Sequence, residues 1–130
     1  MDIKTSDAIA IVNVISKIAQ IKPEKDEVTA VRRLLRNQRV ISTELKEFED
    51  ARKALIDACV EKDAEGNPVK AAGNDTLKLA DDHVKEFNDK LTALLEDSIA
   101  VELQEVDPEK LPAGVFSSAE LYVLEPLFKV

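Results

Sequence analysis

Apolar residues recur every three or four positions along the first segment of the chain. A polar residue among positions 5–7 can cap the start of a helix there. β-branched residues are frequent in this segment and leave a strand possible, but the spacing favours a helix. Lys22 ends it, because the residue before Pro23 avoids the helical region. We therefore predict an N-terminal helix over residues 1–22, whose apolar repeat is Ala8, Ile11, Ile15, Ile18 and Ala19.

A heptad pattern follows over residues 24–62, where neither glycine nor proline occurs. One series at intervals of seven is Leu34, Ile41, Phe48 and Leu55. The companion series, three residues earlier, is Val31, Gln38, Leu45, Arg52 and Cys59. Together they predict a long helix with a narrow apolar seam, in which Gln38 and Arg52 either fix the register or lie at the margin. The polar and β-branched stretch 37–43 is the point where this helix could bend.

Residues 63–76 contain two of the three glycines together with Pro68, which predicts a loop. Beyond it, spacings of three and four alternate again and predict a helix over residues 76–97. Its apolar positions are Leu77, Ala80, Val84, Phe87, Leu91 and Leu94. We expect the two seams to meet in a long antiparallel hairpin. The first and third helices would then fold back along different halves of the long helix.

Apolar and polar residues alternate over residues 98–106, which predicts a short strand. A strand is not stable without a partner. The partner could be the segment around Val69 or a strand from another subunit, and the sequence does not decide between them.

The end of the chain predicts a short terminal helix over residues 117–125. Ser117 and Glu120 have the spacing of a capping box at its start, and Pro126 limits it. The predicted fold class is therefore mainly α, with a helical hairpin, an N-terminal helix, one short β segment and a short C-terminal helix. All of it is expected to form a single domain over residues 1–130.

Composition restricts the classes of function. The 130 residues include 18 Lys and Arg and 26 Asp and Glu, which gives a net charge of −8. We therefore do not expect the whole surface to bind nucleic acid or anionic lipid. The charge is uneven: residues 1–39 carry 8 basic and 5 acidic groups, and residues 40–130 carry 10 and 21. Without a signal-peptide pattern or an apolar run of roughly 20 residues, we expect a cytosolic protein whose Cys59 is a reduced thiol.

Metal and catalytic motifs are incomplete in this sequence. Asp63, Glu65 and Asn67 resemble the start of a calcium loop, but that loop needs a glycine at its sixth position and a glutamate at its twelfth, and both are missing. His83 has no second histidine to complete a zinc site, and Cys59 falls on the apolar seam, away from any base. We therefore predict no metal, no cofactor and no catalytic residue, and we do not expect an enzyme.

Four arginines, Arg32, Arg33, Arg36 and Arg39, lie within eight residues, and positions 32, 36 and 39 share a helical face. The planar guanidinium suits recognition of phosphate and carboxylate groups. The alternative is that these arginines pair with acidic residues of the same chain or of a neighbouring subunit. Aromatic residues that could stack on bases are absent nearby, which argues against binding of single-stranded nucleic acid.

Two segments carry a resemblance to a known family, EKDAEGNPV at residues 61–69 and AELYVLEPL at residues 119–127. Over residues 43–130 the chain resembles small proteins of unknown function from tailed bacteriophages and prophages, mainly of Gram-positive hosts. The segment Cys59-Val60 and the short insert at residues 70–76 depart from that pattern. The resemblance implies a phage setting and brings no catalytic residues with it.

The resulting hypothesis is a non-enzymatic phage protein that acts in assembly or as an accessory factor, through helical protein–protein surfaces. It would act in virion morphogenesis, as a virion component or an assembly factor, or as an accessory factor, located in the host cytoplasm or in the virion. The alternatives are a regulator that binds nucleic acid through the arginines and a phage-encoded inhibitor that binds a host protein through its own acidic surface. The wide apolar face of the first helix also predicts a homo-oligomer, most simply a two-fold dimer. Besides the arginines, the candidate interaction residues are Ile11, Ile15, Ile18, Leu121, Leu124 and Leu127.

Overall fold

The computed structural model describes residues 1–67 and 79–130. The segment around Val69 and the predicted helix start at residues 76–78 lie outside the described residues. The observed fold is mainly helical, which confirms the predicted class. In chain order the elements are β1 (Asp2–Lys4), α1 (Thr5–Ile15), α2 (Val28–Cys59), α3 (Val84–Glu96), β2 (Ser98–Ala100) and α4 (Ser118–Phe128).

The chain divides into two compact units. The first, which we call the core unit, comprises residues 1–46 and 98–130. The second, which we call the hairpin unit, comprises residues 47–97. The long helix α2 contributes its first part to the core unit and its second part to the hairpin unit.

The N-terminal helix is shorter than the predicted 1–22. Residues Asp2–Lys4 form a strand, and α1 tightens after Ile15 into the 3-10 helix Ser16–Gln20. At this transition the Val12 carbonyl accepts hydrogen bonds from the Ser16 hydroxyl at 3.0 Å and from Gln38 Nε2 at 3.1 Å. Gln38 therefore links α2 to α1 through a hydrogen bond, which explains why a polar residue stands at this seam position.

Helix α2 begins at Val28 rather than at residue 24, because Glu24 and Glu27 form a turn in which the Glu24 amide donates to the Glu27 carboxylate at 2.8 Å. The predicted seam is buried, and only two of its members deviate: Gln38 is half-buried and Arg52 is exposed. The buried members are Val31, Leu34, Ile41, Leu45, Phe48, Leu55 and Cys59.

Helix α2 continues without interruption through residue 37, where the sequence suggested a weak point. Asn37 is only 1% exposed, and its side chain forms two hydrogen bonds with the backbone of Gln104. Asn37 Nδ2 donates to the Gln104 carbonyl at 2.9 Å, and Asn37 Oδ1 accepts from the Gln104 amide at 2.9 Å. The asparagine therefore finds its partners outside its own helix, and it does not compete with the helical backbone.

The predicted strand pairs with a segment that neither alternative drawn from the sequence had named. Strand β2 pairs antiparallel with β1 of the same chain, and Ile3 lies opposite Ile99. β1 has only three residues, too few for a visible alternation. β2 itself ends at Ala100, although the Val101 amide still donates to the Met1 carbonyl at 2.9 Å. Further along, the backbone bonds elsewhere: the Gln104 amide donates to Asn37, as above, and the amide of Val106 donates to the Leu127 carbonyl at 2.9 Å. Alternating burial nevertheless continues as far as Leu103, with Val101 and Leu103 buried, and Val106 is the next buried residue.

The hairpin unit pairs the second part of α2 with the shorter helix α3. The Ala80 amide donates to the Cys59 carbonyl at 2.9 Å, and Val60 and Leu79 form an antiparallel bridge. The chain therefore returns antiparallel after α2, as the two seams predicted. Helix α3 starts at Val84, after the 3-10 helix Asp81–His83, and not at residue 76.

The capping box at the start of α4 is confirmed. The Ser117 hydroxyl accepts from the Glu120 amide at 3.2 Å, and a Glu120 carboxylate oxygen accepts from the Ser117 amide at 2.9 Å. Pro126 does not end the helix, which continues to Phe128. A proline there deprives the carbonyl four residues earlier, that of Tyr122, of its helical partner, but Tyr122 is 76% exposed, so water can replace that bond.

We expect Asn37→Ala to lower the free energy of unfolding by about 2 to 4 kcal/mol, because two hydrogen bonds are lost and the backbone groups of Gln104 lose their partner. Urea unfolding measures this. The matched control is Asn13→Ala at an exposed position of α1, which should change stability by about 0.5 kcal/mol or less. Equal effects of the two substitutions would contradict the structural role of Asn37.

Acid should selectively weaken the contact between α4 and the 3-10 helix. The Lys17 ammonium lies 2.6 Å from Glu120, and together with the Ser117 amide it lowers the pKa of Glu120 below its ordinary 4.5. A carboxyl whose pKa is lower in the folded state than in the unfolded state stabilises the protein at pH values above its ordinary pKa. This stabilisation is lost as the pH falls through the pKa of the folded state. Glu120→Gln should therefore destabilise near neutral pH, and its difference from wild type should shrink below pH 4.5. Glu125→Gln on the same helix is the control, and a Glu120→Gln difference independent of pH would refute this account.

Candidate functional site

The first part of α2 and the segment after β2 enclose a shallow groove lined mainly by arginines. Its volume is about 270 Å³. We call it the arginine groove, and its lining residues are Thr29, Arg32, Arg33, Arg36, Arg39 and Gln104. All four arginines are exposed, and the groove brings together the whole cluster that the sequence singled out.

One wall of the groove is held by specific hydrogen bonds. Asn37 binds the backbone of Gln104 from the buried side of α2. Next to it, Arg33 Nη1 donates to the carbonyl of Glu105 at 2.9 Å. The backbone at residues 104–105 is therefore fixed against the helix that carries the arginines, and it forms one wall of the groove.

The remaining three arginines are not neutralised within the described part of the chain. Arg32, Arg36 and Arg39 form no ion pair there, whereas Lys17, Arg52 and Lys90 each lie within 4.0 Å of a carboxylate. Pairing of the arginine cluster with acidic groups of the same chain is therefore not observed for residues 1–67 and 79–130. Pairing with another subunit remains a prediction.

The groove can bind a row of anionic groups. Along the helix axis Arg36 lies about 6 Å from Arg32, and Arg39 follows about 4.5 Å further. Each guanidinium can bind a carboxylate or phosphate through two parallel hydrogen bonds. Thr29 and Gln104 add neutral hydrogen-bonding groups at the edge. The arrangement supplies the charge and the hydrogen-bond donors that binding of an anion requires.

The apolar candidates from the sequence lie in the core and not on a surface. The side chains of Ile11, Ile15, Ile18, Leu124 and Leu127 are at most 1% exposed, and Leu121 is half-buried. They are covered because α4 packs against α1. The other apolar residues of α1, Ile9, Val12 and Val14, are partly buried against the same core. The expectation of an interaction surface on this face is therefore corrected.

Sequence reasoning did not identify a second depression, of about 510 Å³, which lies between α1 and α4. Its lining includes Asp7, Ala10, Tyr122 and Lys129, and Tyr122 is the most exposed large apolar side chain of the described residues. Tyr122 follows a leucine in a helix rich in apolar residues, so the spacing of apolar residues alone could not show that it points outward.

Cys59 is buried, as its seam position predicted. His83 Nδ1 lies 3.2 Å from Glu86, whose other carboxylate oxygen accepts from Lys90 at 2.7 Å. Lys90, followed by His83, lowers the pKa of Glu86 through these hydrogen bonds. In the part of the chain that the structure describes, no group of three or more His, Cys, Asp or Glu could hold a metal ion.

Comparisons with protein-family models, with curated proteins and with solved structures gave no match. Among the described helices, none is long and apolar enough to cross a membrane. The interpretation of the groove therefore depends on its own geometry and charge.

Arg36 should not stabilise the fold. It has like charges three and four residues away, at Arg32, Arg33 and Arg39, and such pairs destabilise a helix by about 0.2 to 0.5 kcal/mol each. Arg36→Gln should therefore leave the free energy of unfolding unchanged or raise it slightly. Arg33→Gln, which loses the hydrogen bond to Glu105, should lower it by about 0.5 to 1.5 kcal/mol. A clear loss of stability in Arg36→Gln would mean that Arg36 has an unrecognised structural partner.

Proposed function

We propose that this protein is a non-enzymatic interaction protein that binds an acidic segment of a partner protein in the arginine groove. The observation that carries the proposal is the set of three exposed arginines, Arg32, Arg36 and Arg39, which have no ion pair within the described residues. They stand beside a wall that Asn37 and Arg33 hold in place.

The energetic cost of this arrangement supports a binding role. Like charges at helical spacings of three and four weaken the folded state, and no carboxylate among the described residues offsets them within 4.0 Å. An anionic partner would remove this repulsion when it binds. A wall that is held by hydrogen bonds within the chain also requires little ordering of its backbone on binding.

A protein partner fits the charge distribution better than nucleic acid does. The four arginines span about 10 Å of helix, and residues 40–130 carry an excess of 11 negative charges. A long polyanion would extend beyond the groove and meet this repulsion. Residues 24–47 also contain no aromatic side chain on which a base could stack. A short acidic segment avoids both problems.

The resemblance to phage proteins supports a setting in an infected cell, a lysogen or a virion. The two segments that carry it have structural roles here: AELYVLEPL lies in α4, and the described part of EKDAEGNPV forms a turn. In that turn Asp63 accepts from the amides of Glu65 and Asn67 at 2.9 and 3.0 Å. The resemblance therefore favours a phage assembly or accessory role without naming the partner.

The test is calorimetric titration with a glutamate-rich peptide at low and moderate salt. Binding should weaken about tenfold or more in Arg32→Glu/Arg36→Glu/Arg39→Glu, because three charged contacts are reversed. The matched control is Lys46→Glu/Lys53→Glu/Lys62→Glu, which makes the same change in net charge at exposed positions outside the groove and should bind like wild type.

Equal weakening in the two triple variants would show that only net charge matters, and the proposed groove would be refuted. Absence of peptide binding in the wild type at low salt would refute it as well. Tighter binding of duplex DNA than of the peptide, lost in the arginine variant, would support the nucleic-acid alternative instead.

A further inference from the structure

The depression between α1 and α4, in the core unit, carries the most exposed aromatic ring of the described residues. Tyr122 lines it and is 76% exposed. A single exposed ring is ordinary on a protein surface, so the groups around it decide what the depression can bind. Those groups are Ala10, Val123 and Pro126, which are small or apolar, and Asp7, Glu125 and Lys129, which are charged.

The direction of α4 fixes the order of these charged groups. Lys17, just beyond α1, lies 2.6 Å from Glu120 at the start of α4, so the two helices run antiparallel. Asp7 in the first turn of α1 therefore lies near the level of Lys129, which follows the last residue of α4. At this end of the depression the acidic and the basic group offset each other's charge.

The opposite end presents three groups that attract a cation. Tyr122 and Glu125 are three residues apart and share one face of α4. Glu125 is exposed and forms no ion pair within the described part of the chain. Pro126 has no N–H, so the Tyr122 carbonyl lacks the helical donor four residues later and is left as an acceptor. A carboxylate, a carbonyl oxygen and the face of an aromatic ring therefore lie within one helical turn.

We propose that this end of the depression binds an arginine side chain of a partner protein. The planar guanidinium can stack on the ring of Tyr122 while its N–H groups donate to the Glu125 carboxylate and to the Tyr122 carbonyl. Lysine fits less well, because its compact ammonium is strongly hydrated and does not stack. The apolar surface of Ala10 and Pro126 can contact the aliphatic stem of the arginine.

This surface shares no residue with the arginine groove, so its test does not depend on the proposed function. The net charge of −8 attracts any cation at long range. A test must therefore separate the depression from the charge of the whole protein.

The chain contains one tyrosine and no tryptophan, so its intrinsic fluorescence reports Tyr122 alone. Titration with a capped Leu-Arg-Leu peptide at millimolar concentration should change this emission to a plateau. The same peptide with citrulline, which has the shape of arginine without its charge, should bind about threefold or more weakly.

Glu125→Gln should weaken binding of the arginine peptide by a similar factor, about threefold. The matched control is Glu109→Gln, which makes the same change in net charge at an exposed position outside the depression and should bind like wild type. The role of the ring is tested by the nuclear magnetic resonance shift of the Ala10 amide on addition of peptide. Tyr122→Phe should keep this shift at wild-type peptide concentrations, and Tyr122→Leu should require about threefold more peptide.

Equal binding of the arginine and citrulline peptides would show that only apolar contact matters, and it would overturn the proposal. Equal weakening in Glu125→Gln and Glu109→Gln would show that net charge alone attracts the peptide, with the same consequence. Emission of Tyr122 that changes with protein concentration in the absence of peptide would show that a second copy of the chain covers the depression, and it would overturn the assignment to a partner protein.

Discussion

The two hydrogen bonds between the Asn37 side chain and the Gln104 backbone are the interaction on which the core unit depends. A half-buried extended segment beside a helix has no strand to satisfy its amide and carbonyl groups, and leaving such groups unpaired is costly. Asn37 satisfies both groups of Gln104 at once. The flanking residues Leu103 and Val106 can then point into an aliphatic core.

The same constraint positions the chain that follows Gln104. Immediately after it, the Glu105 carbonyl accepts from Arg33, and the Val106 amide binds the end of α4 at Leu127. One polar residue on α2 therefore organises both the wall of the arginine groove and the attachment of the terminal helix. The hydrogen bonds of Asn37 therefore stabilise both the fold and the wall of the groove. They explain how the groove forms although the arginines that line it repel one another.

Local sequence patterns predicted the elements, and the contacts between distant segments were not readable from them. The heptad seam predicted α2 and its buried residues, and the spacing of Ser117 and Glu120 predicted the start of α4. Asn37 suggested a bend, because its partner is 67 residues away and leaves no local signal. The arginine cluster was visible as a helical face, but whether carboxylates neutralise it depends on tertiary structure. The burial of the apolar face of α1 likewise depends on which helix packs against it.

Hydrogen exchange at the Gln104 amide tests the central role of Asn37 most directly. Gln104 is half-buried, so slow exchange there must come mainly from its hydrogen bond to Asn37. The Glu109 amide, which donates to the Asp107 carboxylate at an exposed turn, provides the comparison. We expect the Gln104 amide to exchange as slowly as the amides inside α2, and the Glu109 amide to exchange rapidly. Rapid exchange at both amides would contradict it.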